Sequence, residues 1–242
     1  MDALIFAAGH GTRLKPLTDA MPKALVEVGG VPMLERTALR LIDAGADRLI
    51  INTHAFAEQI DAFVKARDGF GVDVRISHEA DLLLETGGGL LAARPHFREG
   101  APFFIHNADV YTDLDLDALR LAHEDANALV TLATMERPST RGLLFDDRGL
   151  VGRANDEADG EVLVRDAVGE VTRLAFACVH VCGSDLFEEI AETGRFGIFE
   201  PYLRLAAEGW ALLPSRVDGC TWVDIGRPEQ LDEAQRLADA AD

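Results

Sequence analysis

The sequence predicts an α/β protein built on a doubly wound, mostly parallel sheet. Three observations predict this class. Short apolar runs alternate with amphipathic stretches, the connections between them are short, and 48% of the 242 residues are hydrophobic, enough for one full core. Ligands of such sheets bind beyond the C-terminal ends of the strands. We therefore expect a single domain over residues 1–242, with its site at that edge.

The first half of the chain follows a regular strand–helix order. Buried strands are expected at residues 4–8, 48–53, 72–77, 102–106 and 128–134, with a short extended piece at 26–28. Helices are expected at 32–44, 54–65 and 114–123, and another follows the glycine-rich stretch and ends near residue 94. Pro32 suits the first turn of its helix, and Gly45 suits the position just after its end.

The pattern changes after residue 135. We expect a hairpin with a polar turn at 142–152, an acidic loop or irregular hairpin at 155–170, strands at 176–182, 210–213 and 220–223, and helices at 184–192, at 199–208 and from 227 onward. Ser184 is the expected N-cap of its helix. Cys178 and Cys182 are interpreted as small apolar strand residues, because their spacing does not suit zinc.

Composition excludes several classes of partner. The chain has 23 basic and 42 acidic residues, a net charge of −19, which argues against nucleic acid and anionic membranes. An odd number of cysteines, three, suits a reducing compartment. The N-terminus has no signal-peptide pattern, and no apolar run is long enough to span a bilayer. We expect a cytoplasmic protein.

The most informative stretch follows the first strand. Gly9-His10-Gly11-Thr12-Arg13 is a small-residue loop whose backbone N–H groups can approach a phosphate closely. Arg13 can bind phosphate oxygens as a fork, and Lys23 adds a point charge. A Gly-x-Gly loop alone can equally be an ordinary turn. Leu14 stands where a dinucleotide fingerprint needs a third glycine, and the Walker spacing is not met.

The complete string is more specific than its parts. Gly9-x-Gly11-Thr12-Arg13 followed by Pro22-Lys23 resembles the signature of the sugar-1-phosphate nucleotidyltransferases, also called nucleotide-sugar pyrophosphorylases. The resemblance implies a Rossmann-like nucleotidyltransferase fold that converts an NTP and a sugar 1-phosphate into an NDP-sugar and pyrophosphate, with Mg²⁺ as cofactor. It also implies a nucleotide-binding half, about 1–135, and a sugar-binding half, about 136–242.

The resemblance assigns the nucleotide to the first loop and to a second glycine-rich segment. The implied nucleotide-binding residues are Ala8, Gly9, His10, Gly11, Thr12, Arg13, Lys23, Glu85, Thr86, Gly87 and Asn107. The run Gly87-Gly88-Gly89 can be a flexible loop, but its entropy cost favours a close backbone approach. Its LETGGG form resembles most the N-acetylmuramate-1-phosphate uridylyltransferases.

Two carboxylates match the metal ligands of the family. Asp109 follows the strand at 102–106, where a carboxylate is well placed to hold Mg²⁺, and Asp224 matches the second ligand. Each alone could be a helix N-cap or turn residue, as could Asp113 and Asp115. The family usually has Asn-Gly-Asp, and this chain has Ala108 in place of the glycine. The implied catalytic residues are Arg13, Lys23 and Asp109.

The second half provides the implied sugar site. The resemblance points to the Gly142 amide, to Phe176 and Ala177, and to Asn155, which could instead be a surface loop residue. Cys178 stands where a glycine is common in the family.

The favoured reaction is uridylyl transfer from UTP to N-acetylmuramate 1-phosphate. Mannose-1-phosphate guanylyl transfer, or cytidylyl transfer to an alcohol phosphate, remain alternatives. A different class of hypothesis is a silent regulatory subunit that binds nucleotide-sugars; such a protein is expected to lack Arg13, Lys23 or a metal carboxylate, and all are present. The sequence leaves monomer and homodimer open.

Overall fold

A computed structural model describes residues 1–80 and 82–240 of the chain. Its strands are β1 (Asp2–Phe6), β2 (Glu27–Val28), β3 (Val31–Pro32), β4 (Arg48–Thr53), β5 (Asp73–His78), β6 (Phe103–Asn107), β7 (Val110–Thr112), β8 (Val130–Met135), β9 (Arg141–Asp146), β10 (Gly149–Asn155), β11 (Gly160–Leu163), β12 (Thr172–Cys182), β13 (Leu212–Arg216) and β14 (Trp222–Asp224). The α-helices are α1 (Met33–Asp43), α2 (Ala57–Ala66), α3 (Glu85–Ala93), α4 (Leu116–Ala126), α5 (Leu186–Glu189), α6 (Phe199–Glu208) and α7 (Pro228–Asp239).

The central sheet confirms the predicted fold class. Its order is β5-β4-β1-β6-β12-β8-β13, and the first four of these strands are mutually parallel. β12 is antiparallel to its neighbours, and β13 is parallel to β8. β12 also pairs with β9, which continues through β10 to β11. The hairpin strands β9, β10 and β11 therefore belong to the same hydrogen-bonded sheet as the parallel strands.

The parallel strands are apolar because both of their faces are covered. Leu4 of β1 lies between Ile50 of β4 and Ile105 of β6, and all three side chains are fully buried. One face packs against α1, α2 and α4, and the other packs against α3 and α6. Helices on both faces make the sheet doubly wound.

One long strand connects the two halves of the chain. The first residues of β12 pair with β9, where Leu174 lies opposite Leu143, and its later residues pair with β6, where His180 lies opposite Ile105. Between these regions the register shifts, and Cys178 has a φ of +62°. A left-handed conformation costs a non-glycine residue about 1–2 kcal/mol, which explains why glycine suits this position.

Three predicted helices differ from the observed ones by two or more residues, and one of them, expected at 114–123, is α4, which begins and ends later. The helix expected at 184–192 is only α5, because the backbone of Ile190 turns extended, with a ψ of 111°. Ser184 is not its N-cap; Asp185 holds that position, and neither caps the helix with a side-chain bond. α2 begins three residues later than expected, because Phe56 has a left-handed φ of 56°.

The predicted hairpin is present, and a buried ion pair holds its turn. Asp146 has a fully buried side chain that accepts two bonds from Arg165, at 2.6 and 2.7 Å, and one from the Val168 amide. The Arg165 guanidinium holds the pKa of the Asp146 carboxyl well below its usual value. A carboxyl with a lowered folded-state pKa contributes stability above its unfolded pKa, about 3.9, and loses that contribution as pH falls below it.

We expect the free energy of unfolding to fall steeply below about pH 4, with Asp146 as a main contributor. Asp146→Asn should be less stable at pH 7 and should show a weaker loss between pH 4 and pH 2, as measured by urea unfolding. The matched control is Asp147→Asn, because Asp147 is the exposed neighbour in the same turn. An unchanged acid dependence in Asp146→Asn would contradict the assignment.

Among the described residues, the helices are all too short or too polar to cross a bilayer.

Candidate active site

The loop after β1 is shaped by a glycine that no other residue could replace without strain. Gly11 has a φ of +62°, and a Cβ added there would lie 2.9 Å from Thr18 Cγ2 and 3.1 Å from Lys23 Cβ. The Thr18 hydroxyl donates to the Gly11 carbonyl at 2.7 Å. Gly9 faces open space, since a Cβ on it would meet no described protein atom within 4 Å. The loop therefore leaves its backbone accessible while Thr18 fixes its course.

The other residues predicted for this loop lie at the same edge. Ala8 is buried two residues beyond β1, which ends at Phe6 and not at residue 8 as predicted, whereas His10, Thr12 and Arg13 are exposed. Thr12 starts a short 3-10 turn, and the His10 ring packs edge-on against His54, with their centroids 5.2 Å apart. The exposed polar side chains of the loop thus stand beyond the C-terminal end of β1, where a ligand can reach them.

Lys23 is the centre of a charged cluster. Its Nζ donates to Asp109 Oδ2 at 2.5 Å and to Asp224 Oδ1 at 3.2 Å. Lys23 is 8% exposed, whereas the Asp109 and Asp224 side chains are 30% and 32% exposed. The structure therefore brings together three of the predicted catalytic and metal residues, with the ammonium inside and the carboxylates facing outward.

Strand pairing explains why two aspartates far apart in sequence meet. Asp109 follows β6, and the amide of Ala108 donates to the Phe6 carbonyl of β1 at 3.0 Å. β14 pairs with β7 so that Asp224 lies opposite Val110, and the Ile225 amide donates to the Asp109 carbonyl at 3.0 Å. Ala108 has no left-handed φ, so alanine fits where the family has glycine.

Gly226 belongs to this cluster, although the sequence analysis did not assign it to the site. A Cβ on Gly226 would lie 2.8 Å from Arg13 Nη2, 2.9 Å from Asp224 Oδ1 and 3.3 Å from Lys23 Nζ. The same distances show that the Arg13 guanidinium also reaches the cluster. A side chain at position 226 would therefore displace these charged groups, and only glycine leaves room for them.

We expect Gly226→Ala to lower kcat/KM by about tenfold to a hundredfold, because displacements of about 1 Å near reacting groups cost rates of that order. The measurement is steady-state kinetics together with the melting temperature. Gly183→Ala is the control, since its Cβ would meet only ordinary contacts at 3.7 Å. Full activity in Gly226→Ala would show that the cluster tolerates a shifted Arg13.

The carboxylate pair fits a magnesium ion. Mg²⁺ takes carboxylate oxygens and retains waters and substrate phosphates, and two aspartates that both reach one nitrogen offer such oxygens in one place. Lys23 would then share the carboxylates with the ion. Within the described part of the chain, no group of three or more histidine, cysteine or acidic side chains is placed to hold a metal.

Cys178 lies beside the carboxylates but is not built as a nucleophile. Burial, together with the nearby negative charges of Asp109 and Asp224, raises the pKa of its thiol to about 12. A thiol with that pKa stays protonated at neutral pH. This supports the interpretation of Cys178 as a small packing residue.

The glycine-rich segment makes its close approach to another part of the chain. A Cβ on Gly87 would lie 2.3 Å from the Phe196 ring, and one on Gly88 would lie 2.3 Å from the Gly194 carbonyl. The amides of both glycines donate to the Phe196 carbonyl, at 3.0 and 3.2 Å. Thus both glycines are required by packing of α3 against residues 194–198.

Glu85 and Thr86 contact the same segment. Glu85 has a left-handed φ of +63° and pairs with Arg195 at 2.8 Å. The Thr86 hydroxyl accepts from the Ile198 amide at 3.0 Å. The side chains of Glu85 and Thr86, two of the residues predicted to meet the nucleotide base, are therefore engaged with protein. Asn107 ends β6 next to Phe6 of β1.

A buried carboxylate that the sequence analysis missed supports this segment. Glu79 is 4% exposed; its Oε1 accepts from Asn52 at 2.7 Å and its Oε2 accepts from the Leu84 amide at 2.6 Å. Glu79 follows β5, so the rule that singled out Asp109 after β6 could have found it. It anchors the start of α3 to the end of β4.

The predicted sugar residues mostly border one cavity. Gly142, Asn155 and Phe176 line a space of about 290 Å³, whose other lining residues are Arg141, Leu143, Arg153, Ala154 and Phe199. Asn155 ends β10 and is not in a surface loop. Ala177 is fully buried and does not line the cavity; its carbonyl accepts from the Trp222 indole at 2.9 Å.

Comparison with known proteins places this geometry in a family. The sequence profile described as nucleotidyl transferase matches residues 2–145. An N-acetylmuramate alpha-1-phosphate uridylyltransferase of Caulobacter vibrioides is 35% identical, over 98% of this chain and 97% of that protein. A mannose-1-phosphate guanylyltransferase catalytic subunit beta of Drosophila pseudoobscura pseudoobscura is 29% identical, over 94% of this chain and 59% of that protein.

The fold has close structural counterparts as well. The UTP-bound UGPase from Acinetobacter baumannii has a TM-score of 0.78 at 17% identity, covering 100% of this chain and 94% of that one. The protein is therefore an enzyme of the sugar-1-phosphate nucleotidyltransferase class. The chain belongs to the nucleotidyl transferase family, and the resemblance indicated by its first loop is confirmed.

Proposed function

We propose that the enzyme transfers a uridylyl group from UTP to N-acetylmuramate 1-phosphate and releases pyrophosphate. A sugar-phosphate oxygen attacks the α-phosphorus, the bond from the α-phosphorus to the bridging oxygen breaks, and pyrophosphate leaves with the electron pair. The attacking phosphate is already ionised, so the reaction requires positioning and charge stabilisation more than a general base.

The charged cluster suits this chemistry. Lys23, held at the centre, would lie near the α-phosphate and the sugar phosphate and reduce their mutual repulsion. Arg13, which is exposed and reaches Gly226, would bind the β- and γ-phosphates as a guanidinium fork. The open backbone at Gly9 would accept the triphosphate chain.

Asp109 and Asp224 would hold Mg²⁺ through carboxylate oxygens. When bound, the ion supplies positive charge to phosphate oxygens in the transition state. Lys23 keeps the two carboxylates together and oriented toward the open side of the cluster.

The observation that carries the substrate assignment is the 35% identity, over nearly the whole of both chains, to an N-acetylmuramate alpha-1-phosphate uridylyltransferase. The guanylyltransferase is less similar and is considerably longer than this chain. Mannose-1-phosphate guanylyl transfer is therefore the second candidate. The assembled cluster of Arg13, Lys23 and two aspartates counts against a silent binding subunit.

The test is pyrophosphate release with Mg²⁺, in a matrix of UTP, GTP, CTP and dTTP against the 1-phosphates of N-acetylmuramate, N-acetylglucosamine, glucose and mannose. We expect turnover with UTP and N-acetylmuramate 1-phosphate to exceed all other pairs. A preference for GTP and mannose 1-phosphate would overturn the substrate assignment and retain the class. We further propose that the enzyme works in the cytoplasm, in recycling of cell-wall sugars, as a monomer or homodimer.

A further inference from the structure

One arginine at the sugar cavity is positively charged without a counter-ion. Arg141 lines the cavity and is exposed, and its guanidinium has no hydrogen-bond or ion-pair partner among the described residues. It starts β9, directly opposite Asn155 of β10. An uncompensated guanidinium at a cavity rim is a place for an anionic group of a ligand.

The neighbouring arginines differ from Arg141 in this respect. Arg153 also lines the cavity, but Asp159 binds its guanidinium through two bonds, at 2.8 and 2.6 Å. Arg173 is held in the same way by Asp156, at 2.8 and 2.8 Å. Arg165 is also paired with an aspartate, Asp146, whereas Arg137 and Arg148 donate to backbone carbonyls. Arg141 lines the cavity and has no such acidic partner among the described residues.

The cavity lies at the right place for an acceptor sugar. Phe176 lines it, and the carbonyl of the next residue, Ala177, accepts from the indole of Trp222 at 2.9 Å, on the short strand β14 that ends at Asp224. A sugar whose 1-phosphate lies at Lys23 would direct its ring toward Phe176, an apolar surface, and its ring substituents toward Arg141.

We propose that Arg141 binds the carboxylate of an acidic ether substituent on the acceptor sugar, and so selects N-acetylmuramate over N-acetylglucosamine. The two sugars differ by the lactyl ether, which carries that carboxylate. A planar guanidinium can bind it through two parallel hydrogen bonds. This inference rests on the proposed function, because it assigns one residue to the recognition of that substrate.

The test compares Arg141→Gln and Arg141→Lys with the unmodified enzyme. Steady-state kinetics with UTP and either N-acetylmuramate 1-phosphate or N-acetylglucosamine 1-phosphate give KM and kcat separately. Calorimetry with UDP-N-acetylmuramate and UDP-N-acetylglucosamine measures binding without turnover. The control is Arg148→Gln at the turn of the same hairpin, where the Arg148 side chain donates to the Asp166 carbonyl and does not line the cavity.

Arg141→Gln should raise the KM for N-acetylmuramate 1-phosphate, and the Kd for the matching UDP-sugar, by about tenfold to a hundredfold, the range of a charged hydrogen bond. The N-acetylglucosamine values should stay within about twofold, and Arg141→Lys should recover part of the loss. An equal loss for both sugars, or none, would overturn the role of Arg141 and leave the proposed function intact. An unmodified enzyme without preference for the N-acetylmuramate compounds would overturn both.

Discussion

Replacement of Lys23 by alanine should lower kcat/KM by at least about a hundredfold, because removal of one preorganised charge from a transition state typically costs that much. The ammonium is the group that both carboxylates share, at 2.5 and 3.2 Å. Its loss removes the positive charge beside the reacting phosphates and lets the two carboxylates repel each other. The measurement is pyrophosphate release under subsaturating substrate.

The fold of Lys23→Ala should survive, since Asp109 and Asp224 are each about one third exposed and water can solvate them. Circular dichroism and the melting temperature check this. Lys65→Ala is the matched control, because Lys65 is exposed on α2 and pairs with Asp61 at 2.5 Å. A folded Lys23→Ala enzyme with near-normal kcat/KM would remove Lys23 from the mechanism.

Asp109→Ala should likewise reduce kcat/KM by at least about a hundredfold, through loss of a metal ligand and of the partner that orients Lys23. The variant should also need a higher Mg²⁺ concentration for half-maximal activity, because one carboxylate would remain to hold the ion. The informative measurement is kcat/KM as a function of Mg²⁺ concentration.

The control for Asp109→Ala is Asp117→Ala, because Asp117 lies on α4 and makes only an exposed pair with Arg120 at 3.3 Å. An Asp109→Ala enzyme whose activity falls while its Mg²⁺ dependence stays unchanged would assign Asp109 to the orientation of Lys23 and not to the metal.

The strands of the parallel half could be predicted from the sequence because strands that are buried on both faces consist mostly of apolar residues. The segment predicted at 48–53 is β4 residue for residue, and its centre, Leu49 to Ile51, is apolar and fully buried because both faces of the strand are covered. The ends of helices were harder to predict. Phe56 takes a left-handed conformation and Ile190 turns extended because of tertiary contacts, which local propensity does not contain.

The site was predictable where a motif spans several residues and less so elsewhere. Arg13, Lys23 and the two aspartates, which the resemblance singled out, lie together in the structure, and their roles stay a prediction. Thr18 and Gly226 were missed because their roles depend on which atoms lie 3 Å away across the fold. A lone threonine or glycine gives no such indication in one sequence.

The glycine-rich segment shows a second kind of structural detail that could not be predicted from the sequence. Three consecutive glycines correctly indicated a close approach, but sequence alone could not say what approaches. Phe196 and Gly194 occupy that space in the structure. The nucleotide contacts expected of Glu85, Thr86 and Gly87 therefore stay a prediction, to be tested by the base preference of the enzyme.

The continuity of β12 has a consequence for the independence of the two halves. The family profile ends at residue 145, inside β9, yet β6 is bordered on one side by β12, which lies beyond that point. Without β12 the edge of β6, a strand with fully buried neighbours, would present unpaired amides and carbonyls to solvent and to other chains. The halves predicted to bind nucleotide and sugar therefore share one hydrogen-bonded sheet, and a chain cut at residue 145 would leave the edge of β6 unpaired.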